Sequence, residues 1–575
     1  MGPADGAQRT LARRVAVLPD GFGVDAAVVL AAGGPHESRV LDDLDALVAQ
    51  SLLRVEEDAR TGAVRYRMLE TVREFGRREV LEVGEEARVR DLVLDWAKDL
   101  AARIVRDAGS PERLLLDPVG EAEHDNLVAV LRRELAVGTE RPDAVLPLYA
   151  VVALRWMAQG AHAEVKDVSA GALAASARWR PEAQSEAAVI GLALLAGTEL
   201  LFGDARAGVT ARVRLRRAAV GADLRPPARL LVDLVERFHD GAAVAGVLAR
   251  ARASDDLGAR RLALLVSWTV AENEGDLEAS VAYSREGYDL AVDTDDPWTR
   301  AMGAVTLAGG YAQLLRPQEA LDWVAAARTA LADPRIAHRD PLLTALSDGL
   351  EQSFAMTLLV LGEWDEAERV FELVARSVVD VRDAELVSGL GIAEAWRGRR
   401  DVDRALARFR AVLGHVGGLR PGDPWLLVAT GICLAAHVLE GRAGHPALAG
   451  VAQRVAGLEI APAGFTDRPV LGTALLGVAT WRVATDPGDP TGLELLAVAA
   501  RMGPRQDFPA ARTDLHRERA VAVYGERAVA AAWERAAAMP HGADAVRAVE
   551  LLRAGGGAGP GGGPGPGSAV DADVR

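Results

Sequence analysis

RYRMLETVREFGRREVLEVG, residues 65–84, changes its period within a few positions. Tyr66 and Met68 alternate with Arg65 and Arg67, the two-residue repeat of a half-buried strand. Thr71 then opens a capping box, in which its hydroxyl and the Glu74 carboxylate each serve the other's backbone amide. Beyond it, Val72, Phe75, Gly76, Val80 and Val83 fall on one helical face, and Arg73, Glu74, Arg77 and Arg78 fall largely on the other. Glu74 and Arg78 form an i,i+4 pair in the favourable orientation.

Upstream, SLLRVEE (51–57) also alternates, and DARTGA (58–63) supplies a turn, so 51–70 reads as a β-hairpin. Two short helical patterns come before it, VDAAVVLAA (24–32) and RVLDDLDALVAQ (39–50). Helix, helix, hairpin, helix is the order of a winged-helix unit, placed at residues 1–88.

The remainder looks different. A chain of 575 residues exceeds one hydrophobic core, so several domains or a repeat array are expected. Half of the residues are apolar, 26% are charged and only 5% are aromatic, which is globular and favours helix over sheet. From about residue 89 to 553 helical periodicity recurs between short turns. LLVLGEWDEAERVFELVARS (358–377) shows the unit best. Gly362 permits close approach, Trp364 fills the gap, and Ala367 lets the second helix pack on the first. Segments 271–291, 307–331 and 391–413 are looser copies. The unit resembles the tetratricopeptide repeat, and a degenerate superhelix of such units leaves a concave face for a protein or peptide. Residues 554–575, AGGGAGPGGGPGPGSAVDADVR, are expected to be a disordered tail. The fold class is therefore mainly α: a small winged helix, a helical-repeat arm and a tail.

Net charge is −16, which opposes nucleic-acid binding by the surface as a whole. The single cysteine, Cys433, lies in the apolar run WLLVATGICLAAHVL and suits a cytoplasmic protein. No signal peptide is visible. The apolar runs near 145–154 and 425–439 fall short of the roughly 18–20 residues of a membrane span and read as buried helices.

Chemistry-bearing motifs are missing. A phosphate loop needs lysine directly after glycine, but Lys98 follows Ala97 and Lys166 follows Val165. Neither HExxH nor CxxC occurs, and the ten histidines are scattered. His124 sits beside Asp125 and Asn126, which read as helix caps. The carboxylates of EWDEAE (363–368) suit a solvated helix start. No GxSxG elbow occurs. The expectation is a non-enzyme with no cofactor and no metal.

Several stretches resemble one family. RRVAVLPDGFGVDAAVVLA (13–31), VLDDLDALVAQSLLRVEE (40–57) and 65–85 look like the winged-helix segment that follows the NB-ARC ATPase of bacterial STAND-type transcriptional regulators, the AfsR/SARP-like and LuxR-like proteins of actinobacteria. EAEHDNLVAVLRREL (121–135) and 155–174 resemble that family's first repeats, and 523–539 its closing segment. The resemblance implies an adaptor fused to a sensing arm. The family's ATPase and usual DNA-binding module have no counterpart here, so its ATP switch is carried to no residue, and ATP is not an expected ligand. Three readings follow. The first is a non-catalytic, signal-sensing regulator that binds a protein or peptide on the repeat face. The second is a DNA-binding regulator with Arg60, Arg65 and Arg67 of the hairpin as candidate phosphate contacts. DNA is the less favoured partner, because Asp42, Asp43 and Asp45 lie on the helix that would read it. The third is a fragment of a longer ATP-dependent regulator.

Overall fold

In the computed structural model the described residues are 6–32, 39–57, 64–108, 118–138, 141–158, 161–177, 185–202, 204–336, 341–377, 381–415, 424–456, 467–540 and 542–554. Arg60 and the expected tail from 555 onward lie outside them. The chain divides into two compact units. One comprises Met1–Thr269, Ala282–Ala304 and Ala327–Ser347, and the other Val270–Val281, Val305–Ala326 and Asp348–Arg575.

The first unit begins with α1 (Gly6–Val15), α2 (Val24–Ala31), α3 (Val40–Ala49), β1 (Leu53–Glu57), β2 (Val64–Met68) and α4 (Glu70–Glu82). The strands pair antiparallel, with Val55 opposite Tyr66 and Glu56 opposite Arg65. Phe22 adds a one-residue third strand. Its amide donates to the Tyr66 carbonyl and its carbonyl accepts from the Tyr66 amide, both at 2.9 Å, and the two rings stack. Leu11, Val15, Leu30, Leu44, Leu47, Leu53 and Val80 close the core beneath the hairpin.

Three local expectations are corrected. The helix starts at Glu70 with Leu69 as its cap, and no side chain caps it, so the Thr71 box does not form. Arg73 instead ties this turn to Glu70 and to the Pro19 carbonyl. Phe75 is 58% and Val83 50% exposed. Gly76 rests directly on Ala16 of the segment after α1, so the buried face of the helix is centred on Gly76 and Val80 and not on Phe75. On β2 the alternation fails at Arg65, which is buried beside Tyr66.

α5 (Glu86–Ala108) continues from α4, and then come α6 (Pro118–Ala122), α7 (His124–Ala136), α8 (Pro142–Ala158), α9 (His162–Ser176), α10 (Glu186–Phe202), α11 (Ala205–Ala219) and α12 (Pro226–Glu236). α8 is the centre of this layer. Val145, Leu146, Leu148 and Tyr149 are wholly buried, and the helix packs on α5, α7, α9 and α10. The apolar run at 145–154 is thus a buried helix, as its composition implied.

The second unit is built from packed helices. Helix Pro424–Leu439 is buried from Val428 to Val438 and crosses helix Arg468–Thr485 at a glycine contact. A methyl group on Gly477 would lie 2.3 Å from the Gly431 carbonyl, so only glycine permits this spacing. Cys433 is buried and in no disulfide, and its sulfur lies 3.7 Å from His437 Nδ1. Ala367 is fully buried, as the 358–377 pattern implied, while Trp364 covers Gly398, which lies outside that pattern. Asp544, also buried, receives both Arg468 and Arg501. No described helix is long and apolar enough to cross a membrane.

Candidate nucleic-acid and partner interface

α2 and α3 form the helix-turn-helix, and α3 is the element that would enter a groove. Val40, Asp43, Leu44 and Leu47 point inward. Its outward face carries Leu41, 58% exposed, with Asp42 and Asp45. Arg39 precedes the helix and pairs with Asp42 at 3.0 Å. Of the three aspartates noted in the sequence, two therefore face outward and Asp43 does not.

The hairpin arginines are separated by the fold. Arg67 is about half exposed; it pairs with Glu56 at 2.8 Å across the strands and lies 3.5 Å from Asp20. Arg54, opposite Arg67, is exposed. Arg65 faces the protein interior. One guanidinium nitrogen donates to Glu123 Oε1 at 2.7 Å and the other to the Asp20 carbonyl at 3.2 Å. Glu123 and Arg65 are both nearly inaccessible.

A second residue completes this clamp. Asn126 Nδ2 donates to Glu123 Oε2 at 2.6 Å and to the Gly21 carbonyl at 2.8 Å, and Asn126 Oδ1 accepts from the Asp20 amide at 3.2 Å. Asn126 is fully buried and lies inside α7, so it is not the cap expected from EHDN. Asn126 satisfies two backbone groups of the turn before α2 while Glu123 neutralises Arg65. The winged helix is thereby tied to the helices that follow it. In the sequence the only trace of this clamp is two polar residues three apart, one helical turn, at the start of an apolar pattern.

A second tie joins α1 to the α4–α5 junction. Glu85 accepts from Arg14 Nη2 and Arg13 Nε, each at 2.9 Å. Arg14 also donates to the Leu30 carbonyl at 2.9 Å. The Arg14 hydrogen bond, followed by that of Arg13, holds the Glu85 carboxyl down at about 2.

His124 sits edge-on to Trp156, with ring centroids 6.2 Å apart. Burial, helped by Arg155, pushes it down to about 4, so it is neutral at physiological pH. No group of three or more histidine, cysteine or acidic side chains among the described residues is placed to hold a metal.

This order of elements, with the Phe22 strand ahead of α2, is that of a winged helix. Residues 5–81 match the model of a winged helix-turn-helix domain. The match runs from the start of α1 to the last turn of α4. No curated protein matches the chain.

Proposed function

We propose that this is a non-catalytic regulator, working in transcriptional control, whose winged helix serves as an adaptor and whose tetratricopeptide-like arm receives a protein or peptide. The observation that carries the reading is the outward face of α3. Asp42 and Asp45 stand where a DNA reader needs donors, and carboxylates there would repel phosphate. The Arg65–Glu123 clamp supports it, because it removes one hairpin cation from the surface. We assign the protein to the cytoplasm, which suits its single cysteine, and to the STAND-type regulators on the strength of its sequence resemblance, and we expect it not to bind ATP.

The test is a pair of titrations on the full chain. A protein partner recovered by crosslinking in its native cells should bind saturably, and a random-sequence DNA duplex at low salt should not. Absence of any saturable protein ligand overturns the reading.

The winged-helix match itself favours a second reading, direct DNA binding. Under it, Arg54 and Arg67 are the hairpin residues to change, since both are exposed. Salt-sensitive duplex binding that is abolished by Arg54→Glu with Arg67→Glu would establish it; tight, salt-independent behaviour would not.

A further inference from the structure

α11 is a basic island in an acidic chain. Residues 205–219, ARAGVTARVRLRRAA, hold Arg206, Arg212, Arg214, Arg216 and Arg217 and no acidic residue. Its inward face is small and apolar: Gly208, Ala211, Leu215, Ala218 and Ala219 are buried. Arg214 is turned aside, donating to Ser176 Oγ at 2.6 Å.

At 3.6 residues per turn the outward positions form a pattern. Val209 and Val213 stand in one row, 43% and 42% exposed, and Val220 just past the helix continues it at 71%. Arg206 and Arg217 flank the row on one side, and Arg212 and Arg216 on the other. Arg216 is paired with Glu236 on α12, through its Nε at 2.7 Å. The side chains of Arg206, Arg212 and Arg217 make no ion pair or hydrogen bond among the described residues. Asp204 is occupied as the helix cap, accepting from the Ala207 amide at 2.8 Å. At the C-terminal end of the row a depression of about 620 Å³ opens between α11 and α12, lined among others by Val220, Arg229, Val232 and Glu236.

We propose that the outward face of α11 docks an acidic amphipathic helix of a partner protein. The apolar row would receive the partner's apolar stripe, and carboxylates on either side of that stripe would meet the arginines in charge-assisted hydrogen bonds. Arginine suits this role, since its guanidinium is less strongly hydrated than an ammonium and pairs with carboxylate in two-point fashion. Nucleic acid fits less well. Its phosphates would have to lie over the valines, and binding would leave that apolar row without a partner. The inference rests on the protein-partner reading above and gives the partner its chemistry.

The experiment uses the full chain and a fluorescent helical peptide with leucine on one face and glutamate on both flanks. The same peptide with lysine in place of glutamate, and a DNA duplex, are the competitors. The glutamate peptide should bind and the lysine peptide should not. Arg206→Glu with Arg212→Glu and Arg217→Glu should weaken binding about tenfold or more, with the circular dichroism spectrum unchanged. Val209→Ser with Val213→Ser should weaken it comparably while keeping every charge. A glutamate peptide that does not bind, or binds equally well to both variants, overturns the proposal. So does a preference for duplex DNA that the arginine variant abolishes. If a native partner still binds the arginine variant at full strength, the α11 surface is excluded while the protein-partner reading stands, so the two failures are distinguishable.

Discussion

Arg65 and Arg67 differ by two positions in sequence and by their whole surroundings in the fold. Arg67 is a half-exposed cation with two carboxylates in reach. Arg65 and Glu123 form a buried pair, and removing one member leaves the other charge without compensation. Arg65→Ala should therefore cost about 3–5 kcal/mol of stability, and Arg67→Ala within about 1 kcal/mol, measured by urea unfolding. Equal effects would mean that the clamp adds nothing beyond a surface pair. The burial of Arg65 was not legible in the sequence. Arginine in a two-residue alternation reads as solvent-facing, and its partner Glu123 is 58 positions away. Histidines show the same gap. His437 Nδ1 meets the Cys433 carbonyl at 2.7 Å, and Arg410 donates to its Nε2 at 2.8 Å, which holds the ring neutral. Burial pushes both His437 and His516 down to about 4. Their unfolded values lie near 6.5, so between 6.5 and 4 the unfolded chain binds protons that the native one does not. Stability is then full above 6.5 and falls with pH through that window, by about 1.4 kcal/mol per unit for each such group. Denaturant titrations at stepped pH should show the slope, and His516→Gln should reduce it. A flat profile from 6.5 to 4 would mean that these rings are solvated.

Among elements, the hairpin and α4 were legible because period 2 gives way to period 3.6 at one place. The strand at Phe22 was not, since a single bridged residue has no period to read. The helical pairs were legible for a different reason, a recurring turn. Segments 271–291, 307–331, 358–377 and 391–413 each run from one helix through a tight turn into the next. Each turn holds one left-handed residue: Gly275, Leu315, Gly362 and Arg400. Sequence showed the two glycines and hid the other two, because backbone handedness is imposed there by the packed helices. A side chain at positive φ carries a steric cost that glycine avoids. Arg400 is exposed, and its side chain makes no hydrogen bond or ion pair among the described residues. Arg400→Gly should thus raise stability by about 0.5–1 kcal/mol, and Gly362→Ala should lower it by about 1 kcal/mol. A thermal melt in which Arg400→Gly destabilises would show that the turn tolerates arginine without strain.

At the scale of the molecule, the order of segments along the chain sets what can be cut from it. The second unit does not begin at Asp348; it includes Val270–Val281 and Val305–Ala326 as well. The early segment makes close contact with later parts of the same unit. Gly275 passes so close to the Met502 carbonyl that an added methyl would lie 2.8 Å from it. Glu274 lies 3.7 Å from Arg468, the same guanidinium that pairs with buried Asp544. Glu272 is itself largely buried, and burial pushes its carboxyl up, against the pull of Arg505. A fragment of residues 348–575 would leave the Met502 backbone and Arg468 without these neighbours, whereas a fragment of residues 270–575 would keep them. The longer fragment, although it also carries Ala282–Ala304 and Ala327–Ser347 of the first unit, should keep a cooperative transition for the second. The shorter one should melt lower and with a smaller denaturant slope, because less surface is buried in its native state. If both fragments unfold alike, the segment around Gly275 is a passenger on a core that closes without it. If the shorter one loses its cooperative transition, Val270–Val281 and Val305–Ala326 are required parts of the unit that Asp348 onward also builds, and no boundary drawn from composition alone would have divided the chain correctly.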